Sequence, residues 1–204
     1  MRFGKLEVTS GFLLLTAWLN YLDKDFVIPM AAAACAAHEL GHFAAIRLLG
    51  GDIKLIRLTF IGAEMVLARP LGYWQEGLSA LAGPGVNLML ALLFCHVPGG
   101  FIFSGVNFVL ALFNLLPIGK LDGGRTLFCA VALLAGPEPA LWFGRRLDVL
   151  CIGAVLAAGL ALAGIGRNIT LLLVAFWLLA GLFQQNNCLR RGNRACQRDR
   201  KQVQ

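Results

Sequence analysis

Charged side chains are scarce in this chain. Asp, Glu, Lys and Arg make up 14% of its 204 residues, whereas 58% are apolar and the mean hydropathy is +0.73. Soluble domains carry about 25% charged residues, so this composition excludes an ordinary soluble domain. We expect one membrane-embedded domain over residues 1–185 and a basic polar tail over residues 186–204.

Two further patterns are missing. The six cysteines contain no C-x-x-C pair, so we expect free thiols that behave as small hydrophobic side chains. Cys35 lies one helical turn before His38, where packing is favoured over a metal-ligand role. The net charge of +7 comes without aromatic residues interleaved among the basic ones, so the sequence does not indicate binding to nucleic acid.

Long apolar runs predict an all-α polytopic membrane protein with about six transmembrane helices. The runs cover residues 6–22, 26–49, 74–95, 101–117, 147–165 and 169–183. A crossing takes about 20 residues, so the first, fourth and sixth runs are short enough to be tilted or partly re-entrant. Asp23, Lys24 and Asp25 follow the first run without a small-residue cleavage pattern, which favours a retained span over a cleaved signal peptide.

The basic residues are distributed unequally between the two sides that six spans would create. Sixteen of the 18 fall on one side, and only Lys24 and Arg167 fall on the other. Cytoplasmic loops of membrane proteins carry the excess of Lys and Arg. We therefore expect both termini, and the tail, to be cytoplasmic.

Residues 52–69 differ from the apolar runs because β-branched and charged side chains alternate there. This pattern predicts one or two strands around Gly62, on the cytoplasmic side between the second and third spans. An open strand edge would accept an extended substrate segment. An amphipathic interfacial loop without a substrate role is the equally open alternative.

The second apolar run contains the sequence H-E-x-x-H, from His38 to His42. On a helix the two histidines share one face, so both can bind one zinc ion while Glu39 moves protons beside them. A carboxylate near the middle of a membrane costs at least about 2.5 kcal/mol. This cost favours a functional site over packing, with a transporter's proton relay as the alternative.

A hydrolytic zinc site needs a third protein ligand. Asp122 is the best candidate, because most other carboxylates lie in loops or at the ends of spans. Pro117 and the neighbouring Gly119 should interrupt the helix just before it. Such breaks occur at membrane depth where they line a cavity or water.

Three motifs in this order resemble the site-2 protease class of intramembrane zinc metalloproteases. H-E-x-x-H is followed by A-G-P-G-V-N at residues 82–87, similar to the family's G-P-x-x-N segment, and by N-x-x-P-x-x-x-x-D-G at residues 114–123. The short, cytoplasm-facing layout looks most like the branch that contains stage IV sporulation protein FB. Lys120 departs from the pattern, because the family often has a second proline there.

The resemblance implies a role for each motif residue. It makes His38, His42 and Asp122 the ligands of one catalytic Zn²⁺ and Glu39 the catalytic acid and base. It implies that Asn114, and similarly Asn87, positions or polarises the substrate. For Asn87, an interhelical hydrogen bond at a close helix crossing is the equally open interpretation.

The predicted activity is hydrolysis of a peptide bond in or next to a membrane segment of a substrate protein. The predicted partners are that membrane-associated substrate, the lipid bilayer and regulatory proteins, and the expected location is the cell membrane with the site towards the cytoplasm. The alternatives are a metal or proton transporter and a catalytically silent scaffold. A transporter would carry polar groups along several spans, and a scaffold would not need Glu39.

Overall fold

The computed structural model describes residues 2–3, 6–8, 23, 26–59, 62–164 and 172–182. Its elements, in chain order, are β1 (Arg2–Phe3), β2 (Leu6–Val8), α1 (Val27–Leu48), β3 (Ile53–Thr59), β4 (Gly62–Leu67), α2 (Tyr73–Phe94), α3 (Phe101–Asn114), α4 (Asp122–Ala135), α5 (Pro137–Gly164) and α6 (Leu172–Leu182). Residues 9–22 of the first predicted span and the predicted tail at residues 186–204 lie outside the described residues. The chain divides into two compact units, Met1–Leu141 and Trp142–Gln204.

A four-stranded sheet in the order β1-β2-β3-β4 accompanies the helices of the first unit. β3 and β4 are antiparallel, with Ile56 opposite Met65, so the strands predicted within residues 52–69 are confirmed. β2 pairs in parallel with β3, with Leu6 opposite Ile56. The predicted first span was therefore wrong at its start, because Leu6–Val8 belongs to the sheet. The backbone of β3 provides the hydrogen-bonding groups that pair with this segment.

Local interactions define the ends of α1. The Asp23 carboxylate accepts a hydrogen bond from the Ile28 amide at 2.8 Å, which satisfies one of the free donors of the first turn. Pro29 is tolerated in the same turn because its missing N–H would have no helical partner there. The helix ends before Gly50, whose φ of 81° suits a residue without a side chain.

Helices α3 and α4 are two halves of one interrupted element that runs antiparallel to α2. Residue numbers rise along α3 and α4 as they fall along α2 in the contacts Ser104–Ala91, Asn107–Asn87, Arg125–Glu76 and Phe128–Tyr73. α3 ends at Asn114 and α4 begins at Asp122. The predicted helix break around Pro117 and Gly119 is therefore confirmed.

The helices of the second half extend beyond the predicted spans. The fourth span was predicted to end at residue 117, yet the chain resumes an apolar helix as α4, and α5 begins at Pro137 rather than at residue 147. Basic residues caused the difference, because they lower the hydropathy without breaking a helix. Arg125 lies 3.3 Å from the Glu76 carboxylate, and the Arg146 guanidinium lies 4.6 Å from the centre of the Trp142 ring.

The described residues include two helices that are long and apolar enough to cross a membrane, α2 and α5. α3 and α6 are shorter apolar helices. The described part of the chain is thus mostly helical, with a short sheet whose β3–β4 hairpin lies between α1 and α2.

Helices α1 and α2 approach closely at a pair of glycines. A Cβ atom on Gly41 would lie 2.8 Å from the Ala82 carbonyl oxygen, and one on Gly83 would collide with the His42 ring. Small residues at a crossing allow backbones to come together in this way. The crossing brings both histidines of α1 against α2.

We expect Gly41→Ala to destabilise the protein by about 1–3 kcal/mol, because the added methyl group must displace the α2 backbone. Gly85→Ala is the matched control, since its Cβ would have nothing within 4 Å. That control should be neutral or stabilising by up to about 1 kcal/mol, because glycine is unfavourable inside a helix. Thermal unfolding of both variants in detergent, without added zinc, makes the comparison. Equal melting temperatures would contradict the close crossing.

Candidate metal centre

The structure brings together the three residues predicted as metal ligands. His38 and His42 lie one turn apart on α1, and Asp122 is the first residue of α4. The two histidine Nε2 atoms are 3.0 Å apart. The Asp122 Oδ2 atom lies 3.0 Å from Nε2 of His38 and 3.3 Å from Nε2 of His42.

These distances fit a zinc ion. Zn–N and Zn–O bonds of about 2.0–2.1 Å in a tetrahedron place neighbouring ligand atoms about 3.3 Å apart. The three ligand atoms form one triangular face at close to that separation, and a tetrahedral site would then keep one position open. His38 and Asp122 are buried, at 6% and 8% exposure, so their ligand atoms are shielded from bulk solvent. The set of two imidazoles and one carboxylate is typical of catalytic zinc sites.

The break between α3 and α4 places the Asp122 carboxylate. Gly123 and Gly124, which follow it, pack against backbone of the interrupting loop. A Cβ on Gly123 would collide with the Leu115 carbonyl group, and one on Gly124 would collide with that of Ile118. The first turn of α4 therefore approaches the preceding loop in a way that only glycine permits. This close approach holds Asp122 beside α1.

Each histidine has a second hydrogen-bond partner on its other ring nitrogen. Nδ1 of His42 lies 2.7 Å from the Ser79 carbonyl oxygen, and Nδ1 of His38 lies 2.6 Å from the Asn87 side-chain oxygen. Both partners belong to α2. Zinc-binding histidines usually donate their second N–H to such an acceptor, which fixes the ring orientation.

Asn87 lies behind His38 and away from the converging Nε2 atoms. Its Nδ2 lies 3.1 Å from the Ala34 carbonyl oxygen and 2.7 Å from the Asn107 side-chain oxygen. Asn87 and Asn107 are both 0% exposed. Asn87 thus makes the interhelical hydrogen bonds of one of the two interpretations, and its contact with substrate stays a prediction.

The remaining candidates lie around the cluster. Glu39 follows His38 on α1 and is half-buried, whereas Cys35 is exposed, as is Lys120 in the loop before α4. The Asn114 side chain donates to the Leu110 carbonyl oxygen at 2.9 Å, within its own helix. Within the described residues, the metal-binding cluster consists of the three predicted ligands alone.

Two contributors to the site were not predicted from the sequence. Ser79 acts through its backbone carbonyl, for which a sequence offers no signal. Asn107 did offer one, because a buried amide inside an apolar helix is costly and therefore usually functional. It lies outside the three motifs, and for that reason its role was missed.

Comparisons with known proteins give relatives that are named as zinc metalloproteases. No protein-family model matches the chain. It is 36% identical over 118 residues to sll0528 of Synechocystis sp., covering 52% of this chain and 31% of that protein. It is 30% identical over 164 residues to Rip3 of Mycobacterium tuberculosis, covering 73% of this chain and 37% of that protein. The names of both relatives assign them, provisionally, to the zinc metalloproteases, and the chain spans about a third of the length of each.

A solved structure matches nearly the whole chain. The site-2 protease from Methanocaldococcus jannaschii aligns with a TM-score of 0.66 and 22% identity, covering 90% of this chain and 92% of that protein. The chain therefore has the fold of a site-2 protease and is similar in sequence to proteins named as zinc metalloproteases.

Proposed function

We propose that this protein is an intramembrane zinc metalloprotease that hydrolyses a peptide bond in or next to a membrane segment of a substrate protein. The observation that carries the proposal is the convergence of the His38, His42 and Asp122 ligand atoms within 3.3 Å of one another. The fold and the named relatives support the same reaction class.

Two residues near the cluster, Glu39 and Asn114, have roles in the proposed mechanism. Zinc bound there would supply a Lewis acid that polarises the scissile carbonyl and activates a water molecule. Glu39 accepts a proton from the attacking water and returns it to the leaving amine. Asn114 contacts the substrate, because it ends α3 next to the break and can exchange its bond to Leu110 for one to a substrate carbonyl.

The proposal includes a multi-pass placement in the cell membrane. Six spans follow if α3 and α4, which run in the same direction along α2, count as one interrupted crossing and if the predicted first span, whose residues 9–22 lie outside the described residues, is kept. Lys120 and Arg125 then lie within the interrupted crossing, and Arg145 and Arg146 lie within α5. The other 12 of the 16 basic residues still fall on one side, against Lys24 and Arg167 on the other, which supports cytoplasmic termini and a site near the cytoplasmic face.

Substrate binding is proposed to involve the sheet. β4 is an edge strand in the order β1-β2-β3-β4, and an edge can pair with an extended segment. Pairing would also expose the scissile amide, since the substrate must leave its helical conformation first.

The short segment between α1 and α2 favours a relationship to the branch of stage IV sporulation protein FB. Regulation would come from partner proteins.

The first prediction distinguishes the metal ligands from the residue that acts as catalytic acid and base. His38→Ala and His42→Ala should lose stoichiometric zinc and activity, because each removes a ligand. Glu39→Gln should keep zinc and lower turnover by about 10²–10⁴-fold, because only proton transfer is lost. Metal analysis and cleavage of a panel of single-span membrane proteins in proteoliposomes provide the measurements.

Cys35→Ala is the matched control, since Cys35 is exposed on the same helix. It should keep zinc and turnover. Full turnover by the Glu39→Gln protein would remove the assigned role of Glu39. Zinc binding without cleavage of any substrate, in the wild type and in Glu39→Gln alike, would favour a transporter or a silent scaffold.

Asp122→Asn should weaken zinc binding by at least about 100-fold, the upper end of what a change outside the ligand set costs. Cleavage should be nearly abolished, whereas Asp122→Glu should retain a trace. Asp52→Asn, which alters an exposed carboxylate, should leave zinc affinity unchanged. Competition with a coloured chelator measures all three variants, and wild-type affinity in Asp122→Asn would require another third ligand.

The membrane topology can be tested independently of activity. Reporter fusions to both termini and within residues 52–69 should all report a cytoplasmic location, because the basic residues lie on that side. Fusions after residue 24 and near residue 167 should report the opposite side. A terminus outside the cytoplasm would contradict the six-span placement.

A further inference from the structure

Two buried asparagines connect three helices behind the metal centre. Asn87 of α2 lies between His38 of α1 and Asn107 of α3, and both asparagines are 0% exposed. The Asn87 side-chain oxygen lies 2.6 Å from Nδ1 of His38, and its nitrogen lies 2.7 Å from the Asn107 oxygen. Neither amide faces the triangle of ligand atoms, so zinc binding and proton transfer leave both residues unexplained.

Backbone carbonyl groups fix the orientation of both amides. Nδ2 of Asn107 lies 2.9 Å from the Phe103 carbonyl oxygen, which can only accept a hydrogen bond. The Asn107 oxygen is therefore the atom that faces Asn87. Asn87 in turn uses the two hydrogens of its Nδ2 for the Asn107 oxygen and, at 3.1 Å, for the Ala34 carbonyl oxygen.

The tautomer of His38 follows from this orientation. The Asn87 atom next to Nδ1 of His38 is an oxygen without a hydrogen to give, so Nδ1 must be the donor. A neutral imidazole carries one hydrogen, which leaves Nε2 with its lone pair towards Asp122. His42 reaches the same state more simply, because its Nδ1 faces the Ser79 carbonyl oxygen at 2.7 Å.

The opposite tautomer of His38 would prevent this residue from binding a metal. With a hydrogen on Nε2, His38 would donate to Asp122, whose Oδ2 atom lies only 3.0 Å away. Nε2 of His38 would then have no lone pair to offer a metal, and the hydrogen bond would occupy one lone pair of the Asp122 oxygen. A group that enforces the hydrogen on Nδ1 therefore favours metal binding over an internal hydrogen bond.

We propose that Asn107, acting through Asn87, is a positioning residue that holds His38 in the metal-binding tautomer and thereby sets the zinc affinity of the site. This inference rests on the proposed zinc site. Asn107 is fully buried and hydrogen-bonds to Asn87 and the Phe103 carbonyl oxygen rather than to a ligand atom, so its effect on zinc is transmitted by the Asn87 amide across the α2–α3 interface.

Zinc affinity of the full chain in detergent tests the inference. Asn107→Leu, which keeps the size of the side chain, should weaken zinc binding by about 10–100-fold, the range for residues that orient a metal-binding histidine. Ser104→Ala is the matched control, because it removes a buried hydrogen bond of 2.7 Å between the same two helices, from Ser104 to the Ala91 carbonyl oxygen. That control should bind zinc as the wild type does. Equal losses in the two variants would overturn the inference in favour of helix packing.

A double-mutant comparison tests whether Asn107 acts through Asn87. If it does, Asn87→Leu combined with Asn107→Leu should bind zinc no more weakly than Asn87→Leu alone. If the loss of zinc affinity in the double variant equals the product of the losses in the two single variants, the inference is overturned. Asn107→Asp should restore most of the affinity, since its protonated form offers the same acceptor and donor, and an affinity as low as that of Asn107→Leu would count against the relay.

The tautomer itself can be observed in the wild type. ¹⁵N NMR of the metal-free protein at alkaline pH should show the His38 hydrogen on Nδ1, and a hydrogen on Nε2 would overturn the inference even if no variant folds. Wild-type protein that binds no zinc would instead remove the proposed function. A wild type that binds zinc, with unchanged affinity in Asn107→Leu, would remove only this inference.

Discussion

The rest of the site depends on one electrostatic constraint, which is that three electron-rich ligand atoms lie within 3.3 Å of one another in a buried position. Two neutral imidazole nitrogens and a carboxylate oxygen repel each other at that distance unless a cation or a proton lies between them. The close crossing of α1 and α2, the loop before α4 and the acceptors behind the histidines all serve this arrangement. A metal ion resolves the repulsion in the way that yields a hydrolytic site.

The interrupted α3–α4 element explains how a carboxylate reaches this position among apolar helices. A continuous helix would pair its backbone N–H and C=O groups internally. It would contain no new helix start, and Asp122 faces α1 because it is the first residue of α4. The break exposes loop carbonyl groups, and the glycines after Asp122 allow the new helix to pack directly on them. Ile118, Leu121 and Asp122 are buried at this break, so this part of the irregular backbone packs against protein.

The sequence was informative where chemistry requires fixed residue types. Histidines four residues apart, and a proline and a glycine before an aspartate, predicted a helix break that the structure contains and three side chains that it brings together. Hydropathy was less reliable, because Arg125 and Arg146 interrupt an apolar run without ending a helix, and Leu6–Val8 begins an apolar run but pairs as a strand. The tertiary contacts of Asn107 and the Ser79 carbonyl group could not be predicted, since they depend on how three helices align.

Zinc K-edge X-ray absorption of the purified protein tests the central claim most directly. The account predicts one zinc per chain with nitrogen and oxygen ligands at about 2.0–2.2 Å, including two imidazoles, and no sulfur. A sulfur ligand at about 2.3 Å, which would have to come from a cysteine, or the absence of stoichiometric zinc would contradict it.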